Sequence, residues 1–203
     1  DDAAVAEASG LKVAMVAGAE NNFKITGPED LARAETAARG AGARGISRTG
    51  LGFDVHRFAP GRPLILGGIA VPHDLGLDGH SDADVALHAV VDALLGAIGA
   101  GDIGVYFPPS EPKWKDAASH IFLKAAGDAV AAAGGIIRSI DLTIICEAPR
   151  IGPYRDAMRM RIAEILDISA DIVNVSATTT ERLGFTGRGE GIAAQSVANV
   201  ELL

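Results

Sequence analysis

Asp54 and His56 stand two residues apart in the run Gly52-Phe53-Asp54-Val55-His56. Side chains alternate along a strand, so a strand here aims the carboxylate and the imidazole to one side and Phe53 and Val55 to the other. Taken alone, the pair reads as the wet side of an edge strand. His88 changes that reading. It lies between Asp84 and Asp92 at four-residue spacing, in a run from Val85 to Leu95 that is otherwise apolar. The exposed face of an amphipathic helix usually carries Lys, Arg or Glu, and this narrow stripe has none. A histidine with a carboxylate one turn away on each side suits a metal ligand supported by Asp84 and Asp92. Asp54, His56 and His88 together offer three nitrogen or oxygen ligands and no sulfur. That set fits a catalytic zinc with an open fourth position, and it equally fits non-haem iron on two histidines and a carboxylate.

A second stretch, Ala177 to Gly191, has the hydroxyls of Thr178, Thr179 and Thr180, then Glu181, then a glycine-rich loop with Arg182 and Arg188. Backbone N–H groups and hydroxyls in such a loop can approach phosphate oxygens. Glu181 could hold Mg²⁺, which takes one or two carboxylates plus substrate phosphates. His80, beside Ser81 at an expected helix N-terminus, could add a hydrogen bond to a phosphate. His73 and His120 read as surface residues, and Trp114, between Lys113 and Lys115, as a solvent-edge aromatic.

These residues need elements to hold them. The pattern predicts strands at about 48–57 and 63–67, a turn at Gly67-Gly68, and a Gly- and Asp-rich loop. A helix follows from near Ser81, opened by the capping-box-like Ser81-Asp82-Ala83-Asp84, to about Ile98. Further on come a helix at 117–133, a strand at 136–147, a helix at 154–166, and strands at 172–178 and 192–202. Consecutive strands at the start argue against a purely parallel sheet. Ahead of this domain, Lys12 to Ala17 reads as a strand. Thr26-Gly27-Pro28-Glu29-Asp30 opens a helix to about Ala38, and Arg39 to Gly45 reads as a flexible linker. One strand and one helix cannot bury a core, so this block is expected to be a remnant or a docking element.

The 203 residues are 48% hydrophobic and 22% charged, with mean hydropathy +0.24. That composition excludes disorder, and no apolar run reaches the ~20 residues a bilayer requires. A net charge of −8 excludes a general nucleic-acid or anionic-membrane binder. The single cysteine, Cys146, forms no internal disulfide and no cysteine-built metal site, and predicts a reducing, cytoplasmic setting. The chain opens Asp1-Asp2 with no secretory pattern and no initiator Met, which predicts a processed piece or fragment of a longer protein.

The runs Gly52 to His56, Gly79 to His88, Gly101-Asp102-Ile103-Gly104 and Thr178 to Gly191 resemble the 2-C-methyl-D-erythritol 2,4-cyclodiphosphate synthase family, over about 48–203. Val16 to Leu31 resembles the C-terminal end of the cytidylyltransferase acting two steps earlier in the same isoprenoid route. Some bacteria fuse the two, so the resemblance implies a transferase remnant at 1–38, a linker at 39–47 and a synthase domain at 48–203. It implies an α+β fold, a mixed sheet with helices on one face, assembled as a homotrimer with sites between subunits. The implied reaction turns 4-diphosphocytidyl-2-C-methyl-D-erythritol 2-phosphate into the 2,4-cyclodiphosphate and CMP.

By the same resemblance, Asp54, His56 and His88 hold Zn²⁺ (or another divalent transition metal) and Glu181 holds Mg²⁺. His80 and Thr179 steady the transition state, and Ser81 binds a substrate phosphate. Asp102, Ile103 and Gly104 hold the methylerythritol, together with Phe107, Pro108, Pro109, Ser110 and Glu111. Cys146, Glu147, Ala148, Pro149, Arg150, Ile151, Gly152 and Thr178 hold the cytidine, with Arg150 where the family usually has Lys. Val55, Thr180 and Phe185 complete the substrate contacts. Arg188, with Glu190, faces a central cavity able to take an isoprenoid diphosphate. Lys24 matches a substrate-positioning lysine of the transferase, whose glycine-rich nucleotide-binding start is not in this sequence. Two other classes stay open on the residues alone: a metal-dependent phosphoesterase using the same triad, and a non-catalytic trimeric module that binds a phosphorylated ligand.

Overall fold

The computed structural model describes residues 2–14, 23–34, 45–108 and 110–203. The chain divides into two units, Asp1–Arg44 and Gly45–Leu203. In the first, helix α1 covers Asp2–Ala8, which the sequence pattern did not suggest, and helix α2 covers 28–34. Pro28 opens α2, as its fixed φ and missing N–H favour. Asp30 accepts hydrogen bonds from the Thr26 hydroxyl at 2.7 Å and from the Thr26 and Gly27 amides at 3.0 and 3.1 Å. Residues 12–14 form no regular structure where a strand was expected. The rest of that strand (15–17), the end of the expected helix (35–38) and the linker as far as residue 44 lie outside the described residues.

In the second unit, β1 (Ile46–Ala59) pairs antiparallel with β7 (Gly191–Leu202), and β7 pairs antiparallel with β5 (Gly135–Ile145). β5 pairs parallel with β6 (Val173–Thr178), and the short β4 (Gly76–Leu77) closes the far edge on β1. The sheet is mixed, in the order β4-β1-β7-β5-β6. β2 (Leu64–Leu66) and β3 (Ile69–Val71) form a separate hairpin about the expected Gly67-Gly68 turn. Both glycines have positive φ, +59° and +78°, which a side chain would strain.

The helices that cover the sheet are α3 (Val85–Ala97), α5 (His120–Ala132) and α6 (Arg155–Leu166). Short helices at Ile103–Tyr106 (α4) and Gly184–Gly187 (α7) sit in loops. Gly50, Gly52, Asp54 and His56 share one face of β1, and α3 lies against that face. A Cβ on Gly50 would stand 1.9 Å from the Ala93 carbonyl oxygen, and one on Gly52 1.9 Å from that of Ala89. Strand and helix backbones therefore touch, and the next residues along each, Asp54 and His88, meet. The core between sheet and helices is built from Leu87, Leu94, Leu123, Leu142, Ile144, Met158 and Ile162, all buried. The other face of β1 is open: Leu51, Phe53 and Val55 are 61%, 53% and 38% exposed.

α3 begins later than the sequence suggested. Its N-cap is Asp84, whose carboxylate accepts the Leu87 amide, and Ser81–Ala83 belong to the preceding loop. Ala83 has φ +59°, a left-handed conformation that breaks any helical path from Ser81.

Candidate functional site

Three atoms converge at the contact of β1 with α3. Asp54 Oδ2 lies 2.9 Å from His88 Nδ1 and 3.1 Å from His56 Nε2, and the two nitrogens are 3.2 Å apart. A tetrahedral ion bound at about 2.0–2.1 Å sets its ligand atoms about 3.3 Å apart. The three distances match one face of such a tetrahedron to within a few tenths of an ångström. Among the described residues, these three alone form a histidine, cysteine and carboxylate cluster able to hold a metal ion.

Both ends of His56 are fixed. Its Nδ1 donates to the Asp78 backbone carbonyl at 2.6 Å, which leaves the Nε2 lone pair facing the other two ligands. Burial disfavours the charged forms of both Asp54 and His56. Their mutual hydrogen bond and opposite charge, together with the His88 ring against the same carboxylate, outweigh it. The carboxyl is held well below the usual range and the His56 ring is raised above its ordinary 6.5.

The support of His88 differs from the sequence expectation. Asp84 accepts the Gly67 and Gly68 amides at 2.9 and 2.6 Å as well as that of Leu87, so it clamps the β2–β3 turn to the start of α3. Burial pushes its carboxyl up, against the pull of these N–H groups. Asp92 accepts the Ile103 amide at 2.8 Å and so ties α4 to α3; burial raises its carboxyl as well. His88 instead directs Nε2 to two hydroxyls, Ser119 at 2.8 Å and Ser81 at 3.2 Å. The Ser119 hydroxyl in turn hydrogen-bonds Asp82.

A cleft of about 250 Å³ opens over the triad. It gathers Asp54, His56 and His88 with His80, Ser81, Ile103, Gly104 and Phe107, all residues that the resemblance implied, and adds Trp114 and Phe122. Trp114 is therefore not a solvent-edge ring: it packs edge-on to Phe107 and Phe122 at 5.1 and 5.7 Å between centroids. The flanking lysines hid it, since a residue's neighbours in sequence say little about a loop that folds back. Arg62, also unsuspected, donates to the Gly79 and Ser81 carbonyls and so braces the loop that carries His80.

A second cleft of about 450 Å³ lies at the ends of β5 and β6. Cys146, Glu147, Pro149, Arg150, Ile151, Gly152, Thr178 and Thr179 line it, and none of them lines the first. Burial pushes the Cys146 thiol up to about 11, with the Glu147 charge adding to it, so the sulfur stays protonated. Glu147 Oε1 accepts the Thr180 and Arg182 amides, each at 3.1 Å. Its carboxylate thereby shapes the turn in which Glu181 takes φ +52°. The Thr179 hydroxyl donates to Glu181 Oε1 at 2.9 Å.

Val55 and Phe185 line a third hollow beside His56. Asp102, Pro108, Ser110, Glu111, Ala148, Thr180, Glu181 and Arg188 line none of these three. Asp102 caps α4, Glu111 pairs with Lys113 at 2.5 Å, Thr180 donates to the Leu183 carbonyl, and Arg188 pairs with Glu190 at 2.6 Å. His73 stacks on Phe58 at 5.0 Å, and His120 is exposed. Pro109 lies outside the described residues, and Lys24 is exposed in the N-terminal unit.

Residues 47–201 match the YgbB family, and residues 1–39 match 2-C-methyl-D-erythritol 4-phosphate cytidylyltransferase. The chain belongs to the YgbB family. This YgbB-family chain is 58% identical over 202 residues to the bifunctional enzyme IspD/IspF of Rhodospirillum rubrum and 56% identical over 201 residues to that of Caulobacter vibrioides. It covers 52% of each, about half the length of these relatives. The solved bifunctional IspDF of Campylobacter jejuni superposes with a TM-score of 0.76 at 39% identity, over 100% of this chain and 54% of its own. A CDP-bound 2C-methyl-D-erythritol-2,4-cyclodiphosphate synthase gives 0.68 at 36% identity, over 74% of this chain and 98% of its own. The family match takes in every residue of the triad and of both clefts.

Proposed function

We propose that residues 48–203 are the 2-C-methyl-D-erythritol 2,4-cyclodiphosphate synthase part of a bifunctional protein, with 1–38 the end of its cytidylyltransferase part. The observation that carries this is the Asp54–His56–His88 triad in the lining of a mostly apolar cleft, in a chain of this family. The substrate is 4-diphosphocytidyl-2-C-methyl-D-erythritol 2-phosphate. An oxygen of its 2-phosphate attacks the β-phosphorus, the bond from that phosphorus to the α-phosphate oxygen breaks, and CMP leaves with the electron pair. Attacking and attacked groups sit in one molecule, so the protein's work is to fold the substrate and to meet its charge.

Asp54, His56 and His88 fit zinc, and Glu181 would hold magnesium with substrate phosphates as its other ligands. When bound, these ions supply Lewis-acid stabilisation of the phosphate charge. His80 on the cleft rim and Thr179 contribute hydrogen bonds to the phosphates. Ser81 accepts the Ala83 amide at 3.1 Å and lies against His88, a position from which it would reach a phosphate held over the triad. Ile103, Gly104 and Phe107 receive the methylerythritol. The cleft at Cys146 to Gly152 receives the cytidine, a reading supported by the CDP-bound relative.

The two clefts share no residue, and the exposed apolar face of β1 is of a kind that marks a protein interface. In this reading copies of the chain form a homotrimer, and each site joins the metal cleft of one copy to the cytidine cleft of the next. Arg188 and Glu190 then face the central cavity, where an isoprenoid diphosphate would bind. Subunit mixing tests the arrangement. His88→Ala and Glu181→Gln should each be inactive alone, the first without zinc and the second with it. Co-refolded, they should regain activity, because a mixed trimer contains one site with both halves intact. Two inactive variants that stay inactive in verified mixed trimers would place both halves of the site on one copy.

A further inference from the structure

Ser119 and Asp82 reach His88 from outside the triad. Ser119 is fully buried at the N-cap of α5, where a serine normally uses its side chain to accept an amide of the first turn. It makes no such bond. Its Oγ instead lies between His88 Nε2 at 2.8 Å and an oxygen of Asp82. A residue that breaks the local capping rule in a buried position is serving another demand.

We propose that Asp82 and Ser119 are positioning residues that set the tautomer of His88 and so present its Nδ1 lone pair to the metal, an inference that rests on the metal reading above. A hydroxyl has one proton and an ionised carboxylate only accepts. The Ser119 proton therefore goes to Asp82, and Ser119 Oγ faces His88 as an acceptor. His88 Nε2 must carry a proton to complete that hydrogen bond. A neutral imidazole has one N–H, so Nδ1 is left bare. Nδ1 is the atom 2.9 Å from Asp54 and 3.2 Å from His56 Nε2.

Asp82 is in turn locked in place. Its Oδ2 accepts the Ser119 amide at 3.0 Å, its Oδ1 accepts the Asp84 amide at 3.2 Å, and its own amide donates to the Ala117 carbonyl at 3.0 Å. Ser81 is the other hydroxyl at Nε2, but its proton has no carboxylate to go to. It accommodates either tautomer and does not choose between them. The choice lies with Ser119.

The test uses the full chain stripped of zinc and labelled with ¹⁵N-histidine. In the wild type, long-range ¹H–¹⁵N correlation at a pH where the ring is neutral should show His88 as a single Nε2–H tautomer. Ser119→Ala should give a mixture, and should weaken zinc affinity about 10–100-fold against a competing chelator. Ser119→Thr keeps the hydroxyl and should restore both. If Ser119→Ala keeps the pure tautomer, the inference is wrong, whether zinc affinity holds or falls, because a fall without a tautomer change reports packing only. If Ser119→Ala does not fold, Ser119→Cys, with a thiol that is a poor partner, is read the same way. A wild-type chain that takes up no zinc would sink the metal reading, while the tautomer comparison would still decide the relay.

Discussion

His56 Nε2 and His88 Nδ1 come from a strand and a helix 32 residues apart in sequence and stand 3.2 Å from each other, both against the same Asp54 oxygen. Atoms with lone pairs at such distances need a cation among them. In the zinc-free chain a proton takes that role; in the loaded chain the metal does. The competition between the two fixes how the protein responds to pH.

Opposite pH trends are expected with and without zinc. The His56 ring is raised above its ordinary 6.5, so its contribution is complete below that value and is lost as pH climbs through the raised one. The Asp54 carboxyl is lowered, so its contribution is present above the ordinary carboxylate value and is lost as pH falls through the lowered one. Between these windows the zinc-free chain is favoured, and its Tm declines as pH rises past the histidine range. Zinc must displace the ring proton, so its affinity grows over the same range. Thermal melts with and without zinc across the histidine range should show a zinc-induced gain in Tm that increases with pH. A gain that is flat or shrinks would contradict the assignment of His56 as a ligand.

Gly52 should tolerate no side chain. The Cβ of Gly52→Ala would meet the Ala89 carbonyl oxygen at 1.9 Å, so strand and helix must separate. The overpacking should cost about 1–3 kcal/mol of stability, read by denaturant unfolding. Zinc affinity should fall as well, because the same contact sets the distance from Asp54 to His88. Wild-type stability and zinc binding in this variant would mean that the backbone contact does not position the site.

Glu147 acts on the loop it faces. Removing its carboxylate in Glu147→Ala frees the Thr180 and Arg182 amides, at a cost of about 1.5–3 kcal/mol for hydrogen bonds to a charged acceptor. Zinc content should be unchanged, since the triad lies elsewhere. The expected outcome is a lower kcat/KM with a weaker response to magnesium, measured by titration. An unaltered magnesium response would separate Glu147 from the placement of Glu181.

Much of the triad was legible in the sequence because it depends on two local periods. Asp54 and His56 share a strand face by alternation, and His88 stands out on a helix that is otherwise apolar. The β2–β3 turn was legible in Gly67-Gly68 for a similar reason. The support of His88 was not. Ser119 and Asp82 are 37 residues apart, and they meet only because the loop holding Trp114 folds back over the start of α3. Asp84 and Asp92 lay at the expected helical spacing, yet backbone amides from the hairpin turn and α4 claim their carboxylates. The start of α3 was misplaced because Ser81 looks like a cap, and only the positive φ of Ala83 shows that the chain is not yet helical.

The most direct measurement is ³¹P NMR of the products formed when the zinc-loaded chain is incubated with 4-diphosphocytidyl-2-C-methyl-D-erythritol 2-phosphate and magnesium. The expected result is the paired resonances of a cyclic diphosphate together with equimolar CMP, and their loss in His88→Ala. Inorganic phosphate or an open-chain phosphate ester would show that the triad activates water instead. Substrate left unchanged by zinc-loaded, trimeric chain would show that this fold binds its ligand without turning it over.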